Sequence, residues 1–84
     1  MSIHIKSGLR ISDQGLVFDP STGESFTLNP TGLILLRLMI GCNDENEIFR
    51  ILNQDYELSR LEFDRYLLDF LAVLKSMQIL ENEA

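Results

Sequence analysis

The single histidine and the single cysteine are the first residues whose chemistry bears on function. His4 lies near the N-terminus in a strand-like segment, where we expect it to be exposed, and no partner for proton transfer is close to it in the sequence. Cys42 follows a glycine between two predicted helices, without a second cysteine to form a redox pair. One residue of each type is too few for a zinc site of ordinary spacing. We therefore interpret both as structural residues and expect neither a metal nor a cofactor.

The acidic residues form no arrangement that predicts catalysis. Asp44, Glu45 and Glu47 crowd the predicted start of a helix, where the helix dipole favours negative charge. Asp64 and Asp69 lie about 140° apart around a later helix, too far for a pair of carboxylates to act on one substrate. The sequence also lacks a phosphate-binding loop, a nucleophile elbow and a zinc-protease motif. These observations predict a protein that is not an enzyme.

Size and charge narrow the function further. A chain of 84 residues is one small domain, and 45% hydrophobic with 24% charged residues is typical of globular proteins. The net charge is −6 and the seven basic residues are scattered, so nucleic-acid binding is disfavoured. The longest apolar stretch, residues 33–40, is interrupted by Arg37 and is far shorter than the roughly 20 residues that span a bilayer. Because the N-terminus also lacks signal-peptide features, we expect a cytoplasmic protein that does not enter a membrane.

The first thirty residues have the pattern of strands. Ile3 and Ile5, and then Leu9 and Ile11, alternate with polar residues at period two. Two turn-forming segments follow, one ending at Gly15 and the other at Gly23, and each is followed by a further apolar segment. The pattern predicts a meander of three short antiparallel strands, of which the last covers residues 24–28.

From residue 29 onward the apolar period is helical. Asn29 is a good N-cap, and residues 31–40 are apolar nearly all round, which predicts a first helix that is buried on most faces. Gly41 is predicted to end this helix in the left-handed conformation.

Two further helices begin at capping residues. Asp44 is predicted to cap the start of the second helix, and Glu47, three residues later, is predicted to complete a capping box with it. Ser59 and Glu62 form a capping box for the third helix, which is predicted to run to about Met77.

A three-stranded meander cannot bury its own face and therefore needs helices packed against it. We predict an α+β, winged-helix-like fold, in which an N-terminal three-stranded antiparallel β-meander is followed by three α-helices. Residues 1–84 form one domain, with a core at about residues 8–80 and a frayed tail at residues 81–84. Within this core, Ile79 and Leu80 are expected to add a short strand or to pack as a tail.

Two surface features suggest that the protein has a binding partner. Leu61, Leu68 and Ala72 project within about 40° of one another, opposite the core face of the third helix. Three interpretations are open: a contact surface for another chain, packing against the protein's own strands or tail, and scattered surface leucines, which are common. The strand at residues 24–28 ends the meander, so its outer edge is open to an extended peptide unless residues 79–80 cover it.

The chain resembles the PqqD family, named for pyrroloquinoline-quinone biosynthesis protein D. The resemblance covers about residues 8–80 and rests on the order and spacing of short motifs: Leu28-Asn29-Pro30-Thr31-Gly32, Leu35-Leu36, Gly41, Ile48, Leu52, Tyr56, Leu67, Phe70-Leu71 and Leu74. The family more often has threonine at Asp44, aspartate at Tyr66 and glycine at Gln78.

The resemblance implies a domain that recognises a precursor peptide. Such a domain binds the leader of a ribosomally made peptide and presents it to a modifying enzyme, often a radical S-adenosylmethionine enzyme. The leader adds to the third strand and lies against the third helix. Carried to this chain, the implied peptide-binding residues are Ser25, Phe26, Thr27, Leu28, Leu61, Arg65, Leu68 and Ala72.

Two alternatives remain open from the sequence. One is a winged-helix DNA-binding or regulatory domain that uses Arg60 and Arg65 to contact phosphates. The other is an adaptor for a protein kinase or a transport component. The sequence also leaves open whether a second copy closes the strand edge in a homodimer.

Overall fold

The computed structural model describes residues 3–42 and 44–81. Its elements in chain order are β1 (His4–Ile5), β2 (Arg10–Ile11), β3 (Leu16–Asp19), β4 (Glu24–Thr27), α1 (Pro30–Gly41), α2 (Glu45–Asp55), α3 (Arg60–Ser76) and β5 (Leu80–Glu81). The predicted α+β fold, a three-stranded antiparallel meander followed by three helices, is confirmed. None of the helices in the described part of the chain is long and apolar enough to cross a membrane.

The strands form two separate sheets. The meander has the order β2-β3-β4, with Val17 at its centre opposite Ile11 on one side and Phe26 on the other. The first strand, β1, lies outside the meander and pairs antiparallel with β5. The alternation between residues 3 and 11 therefore belongs to two short strands in different sheets.

The segment that follows α3 forms a strand that extends to Glu81. The expected short strand at Ile79 and Leu80 is present as β5, in which Leu80 lies opposite Ile5. The prediction of a frayed tail is wrong at Glu81, because its backbone pairs with that of His4. The rest of the predicted tail, residues 82–84, lies outside the described residues.

A sharp turn after α3 directs the chain into β5. The N–H of Ile79 donates to the Leu74 carbonyl at 3.1 Å, and the N–H of Gln78 donates to the Lys75 carbonyl at 3.1 Å. Gln78 has a φ of 62°, the left-handed conformation that this type of helix end requires. The turn therefore forms with glutamine, although glycine would adopt this conformation without strain.

Two predicted helix caps are confirmed. The Asn29 side chain accepts a hydrogen bond of 2.7 Å from the Gly32 N–H and starts α1. Ser59 and Glu62 form both hydrogen bonds of the capping box that starts α3. These contacts satisfy backbone donors that a helix N-terminus otherwise leaves unpaired.

Of two other capping predictions, the one for Gly41 is wrong, and the one for the second helix is confirmed at Asp44 and wrong at Glu47. Gly41 is the last residue of α1, and the cap is Cys42, whose extended backbone donates its N–H to the Leu38 carbonyl at 2.8 Å. At α2 the Asp44 carboxylate caps alone by accepting from the Asn46 N–H at 3.0 Å.

Glu47 does not complete a capping box at α2. Its carboxylate forms an ion pair with Arg50, one turn further along the same helix. This pairing holds the pKa of Glu47 below its usual value.

The core lies between the two sheets and the three helices. Its buried apolar residues are Ile3, Val17, Leu35, Leu36, Met39, Ile48, Leu52, Phe63, Leu67, Phe70, Leu74 and Ile79. The prediction that the first helix is buried on most faces is wrong, because Ile34 and Ile40 are 39% and 52% exposed. One face of α1 thus packs in the core while the opposite face meets solvent.

A buried carboxylate holds the turn that precedes β4. Asp19 is only 4% exposed and accepts from Lys6 Nζ at 2.8 Å and from the Ser21 hydroxyl at 2.8 Å. Its backbone carbonyl also accepts from the Gly23 N–H at 2.8 Å. The hydrogen bonds to the carboxylate, first that from Lys6 and then those from Ser21, lower the pKa of Asp19 from 3.8 to about 2.

We predict that Asp19 stabilises the fold in a pH-dependent way. Because its folded pKa lies below its unfolded value, the stabilisation is present above about pH 4 and is lost as the pH falls toward 2. Urea denaturation of the wild type and Asp19→Asn should therefore give a difference in unfolding free energy that shrinks over this range. Asp13→Asn, which alters an exposed ion pair with Arg37, serves as the control and should have little effect. A deficit of Asp19→Asn that is constant from pH 7 to pH 2 would contradict this assignment.

Candidate functional site

The outer edge of β4 exposes backbone hydrogen-bonding groups. In the register of β3 and β4, Val17 faces Phe26, and the Leu28 N–H donates to the Gly15 carbonyl at 2.8 Å. Since the direction of these groups alternates along an antiparallel strand, Phe26 and Leu28 point their N–H groups toward β3. Ser25 and Thr27 therefore point their N–H and C=O groups outward, and we call these four groups the β4 edge.

No strand within residues 3–42 and 44–81 pairs with the β4 edge. The C-terminal strand β5 pairs with β1 instead, on a different sheet. The condition that the sequence left open, coverage of this strand by residues 79–80, is therefore not met.

Both ends of β4 are fixed by contacts with β3. At the start, Asp19 holds the turn through the Gly23 N–H, as described above. At the end, Gly15 has a φ of 94°, and a Cβ atom there would lie 2.3 Å from the Leu28 carbonyl oxygen. Only glycine permits this close approach. The backbone of the β4 edge is thus held in an extended conformation before any partner binds.

The side chains of β4 divide between two environments. Phe26 and Leu28 are half-buried and pack against the core, whereas Ser25 and Thr27 are exposed. The strand is therefore anchored by its apolar side chains. Its outward backbone groups are flanked by small polar side chains that leave them accessible.

One side of α3 approaches the end of β4. A Cβ atom at Gly32 would lie 3.4 Å from Cε1 of Phe70 and 3.5 Å from Cβ of Leu28. Phe70 thus reaches the segment that links β4 to α1. Tyr66 and Val73 lie about 40° and 60° from Phe70 around the helix, so they belong to the same side. We call these three residues the Tyr66 flank.

The Tyr66 flank is an accessible apolar surface. The ring of Tyr66 stacks on that of Phe70 with centroids 6.2 Å apart, and partial burial raises the pKa of the Tyr66 phenol. Tyr66 and Val73 are 36% and 48% exposed. Together with Asp69 these residues line a shallow concavity of about 200 Å³. A second apolar concavity, of about 210 Å³, continues from Tyr66 toward Tyr56 and Leu58.

The predicted residues of α3 lie on another face of the helix. Leu61 and Leu68 are 63% and 64% exposed, and Arg65 and Ala72 are also exposed. We call these four residues the leucine strip. Packing of the strip against the protein's own strands or tail, which the sequence had left open, does not occur in the described part of the chain.

The two halves of the predicted site lie on different elements, β4 and α3. Ser25, Phe26, Thr27 and Leu28 lie in or directly after β4, at its open edge. Leu68 is two residues from Phe70, which corresponds to about 160° around the helix axis, so the leucine strip lies away from the side of α3 on which Phe70 packs near Gly32. A role for the strip in peptide binding stays a prediction.

The Tyr66 flank was missed by the sequence analysis. From the sequence, the broad apolar face of the third helix opposite Leu61, Leu68 and Ala72 is interpreted as core, and that face includes Tyr66 and Phe70. Their position at the margin of that face, next to Val73, is the signal that they border solvent.

Arg60, a candidate for phosphate contact, is already engaged. Its guanidinium donates to Asp64 at 3.0 Å and to Asn46 at 2.9 Å, and it lies over the rings of Phe49 and Phe63. These contacts join α2 to α3. Arg60 therefore serves the packing of the helices.

The two residues first considered for chemistry border a separate concavity. His4 and Cys42 line a space of about 550 Å³ between β1 and the end of α1, and both are half-buried, so the prediction of an exposed histidine is wrong. The Cys42 thiol lies 3.8 Å from the Asp44 carbonyl. Among the residues whose positions are described, no group of three metal-binding side chains comes together.

Comparisons with known proteins identify the family. The model of the family described as "Coenzyme PQQ synthesis protein D (PqqD)" matches residues 14–80. No curated protein matches the chain significantly. Among solved structures, "TbiB1 in Complex with the TbiA(beta) Leader Peptide" is similar, with 26% sequence identity and a TM-score of 0.79. That match covers 100% of this chain and 99% of the other. Since the family model spans well over half of the sequence, the chain belongs to the PqqD family.

Proposed function

We propose that this protein binds the leader of a ribosomally synthesised precursor peptide and presents it to a modifying enzyme in the cytoplasm, for example a radical S-adenosylmethionine enzyme. The observation that carries the proposal is the likeness, along the whole chain, to a solved structure that contains a leader peptide. Membership in the PqqD family supports the same role. In this role the protein is a recognition domain, and the chemistry is done by the enzyme.

The leader binds by adding a strand to the β4 edge. Ser25 and Thr27 offer two donors and two acceptors at the spacing that an extended peptide matches. Because β4 is already extended and fixed at both ends, its ordering costs little free energy when the peptide binds. Main-chain hydrogen bonds thus set the register of the leader, largely independently of its sequence.

Selectivity for the leader comes from α3. A strand paired with β4 places alternate side chains toward the helices, where the Tyr66 flank provides aromatic and aliphatic contact area. Asp69 adds a negative charge at the rim of this surface. We therefore propose Tyr66, Phe70 and Val73 as the helix wall of the site. Contact of the leader with the leucine strip is the competing possibility.

The first prediction concerns the backbone of the β4 edge. Ser25→Pro removes one outward N–H and leaves the hydrogen bonds to β3 intact, because those belong to Phe26 and Leu28. We expect affinity for the cognate leader to fall by about tenfold or more, since a hydrogen bond is lost and the proline ring obstructs the incoming strand. Isothermal titration calorimetry with leader peptides encoded beside this gene measures the effect.

Ser25→Ala is the matched control. It changes the side chain at the same position and keeps the N–H, so the leader should bind as it does to the wild type. Circular dichroism and thermal unfolding establish that both variants fold. Undiminished binding by a folded Ser25→Pro variant, or failure of every such leader to bind the wild type, would contradict strand addition at β4.

The second prediction decides between the two faces of α3. Val73→Lys places a charge on the Tyr66 flank, and Leu68→Lys places the same charge on the leucine strip. Because both positions are exposed, neither change should unfold the protein. We expect Val73→Lys to weaken leader binding by about tenfold through loss of apolar contact, and Leu68→Lys to leave it unchanged. The reverse result would place the leader on the strip.

A further inference from the structure

We infer that the leader is held on both faces of its strand, because its outward side chains pack over β4 against the exposed pair Leu16 and Phe18. The inference rests on the proposed addition of the leader to the β4 edge. It specifies the leader more closely, as a peptide whose extended segment carries large apolar side chains opposite Ser25 and Thr27. The Tyr66 flank contacts the leader side chains that point the other way.

The strand β3 has the composition of a strand that is covered on both faces. Val17 is fully buried in the core, whereas Leu16 and Phe18, on the opposite face, are 46% and 36% exposed. A strand with one face in solvent normally alternates between apolar and polar residues, and an uninterrupted apolar run is typical of a strand buried on both sides. Within the described residues nothing buries Leu16 and Phe18, which we call the β3 patch.

The β3 patch is open toward the edge that receives the leader. Phe18 lies opposite Ser25, and Leu16 lies opposite Thr27. Because serine and threonine are short, the patch is accessible across β4. On the other side of β3, the long side chain of Arg10 lies opposite Phe18. The patch is therefore approached from β4 and bordered by a charged side chain on the side of β2.

The geometry of strand pairing directs leader side chains to this patch. Residues directly opposite each other in an antiparallel pair project from the same face of the sheet. The leader residues paired with Ser25 and Thr27 therefore share a face with the β3 patch, and their Cα atoms lie about 10 Å from those of Phe18 and Leu16. A leucine, methionine or aromatic side chain on the leader meets the patch above the short side chains of β4.

The size of the β3 patch favours a peptide over a globular partner. Two side chains that are about half exposed or less offer on the order of 200 Å² of apolar surface. A stable protein–protein interface needs about 800 Å² from each partner. The patch is thus too small to hold a second copy of this chain or a folded enzyme by itself, and it matches one or two side chains of a bound peptide.

The test removes the patch and leaves the backbone of the β4 edge intact. Phe18→Thr and Leu16→Thr introduce a residue that suits strands, and circular dichroism establishes that both variants fold. Each should weaken binding of the leader peptide encoded beside this gene by about threefold to tenfold in isothermal titration calorimetry, because apolar contact is lost. Ile40→Thr is the control, since Ile40 is 52% exposed and lies about 15 Å along α1 from its start next to β4. It should leave the affinity unchanged.

A scan of the leader tests the same contact from the peptide side, with the wild-type protein. Each residue of the synthetic leader is replaced in turn by serine, and cross-strand nuclear Overhauser contacts identify the residues paired with Ser25 and Thr27. Serine at these residues should weaken binding several-fold, in addition to the losses at residues that face the Tyr66 flank. In Phe18→Thr, serine opposite Ser25 should cost little further affinity, because the two changes remove one contact.

The inference is overturned if folded Phe18→Thr and Leu16→Thr both bind the leader as tightly as the wild type, or if the scan finds losses only at residues that face the Tyr66 flank. A dimer of the free protein that Phe18→Thr dissociates in sedimentation would assign the patch to a second copy instead. Ser25→Pro separates this inference from the proposed function. If Ser25→Pro weakens binding and Phe18→Thr does not, the inference alone fails, whereas undiminished binding by Ser25→Pro removes the strand addition on which both depend.

Discussion

The pairing of β5 with β1 is the constraint on which the rest of the structure depends. In a domain this small, the apolar segment formed by Ile79 and Leu80 must pack against another element. It could have paired with the outer edge of β4. The turn at Gln78 sends the segment to β1 instead, where Leu80 meets Ile5. As a result, within the described part of the chain β4 keeps its outward backbone groups free. Gln78 adopts the left-handed conformation although it is not glycine, which indicates that the surrounding packing holds the turn in place.

The same arrangement gives α3 two different outer faces. Its inner face fills the core with Phe63, Leu67 and Leu74. One margin of that face, the Tyr66 flank, borders the β4–α1 junction, while the leucine strip points the opposite way. A single helix thereby carries two exposed apolar surfaces, of which the Tyr66 flank is proposed to contact the leader. Because the helix is rigid and its start is capped by Ser59 and Glu62, the two surfaces keep a fixed relation to each other.

Local signals made much of this fold predictable from the sequence. The cap at Asn29, the capping box at Ser59 and the period-two segments each depend on neighbouring residues, and each is found in the structure. The destination of β5 could not be predicted, because Ile79 and Leu80 indicate an apolar strand without specifying its partner. The candidate site was predictable in part: β4 is the last strand of the meander, so its outer edge could be expected to be open. Which face of α3 turns toward that edge depends on how Phe70 packs over Gly32, a contact between distant segments that no local pattern contains.

Hydrogen exchange of individual amides in β4 tests the central claim most directly. In the free protein, the amides of Phe26 and Leu28 should be protected by β3, whereas those of Ser25 and Thr27 should exchange rapidly with solvent. Saturation with the cognate leader should slow exchange at Ser25 and Thr27 and leave the protection of Phe26 and Leu28 by β3 unchanged. Slow exchange at these two amides before any peptide is added, or rapid exchange after the leader is bound, would contradict the account.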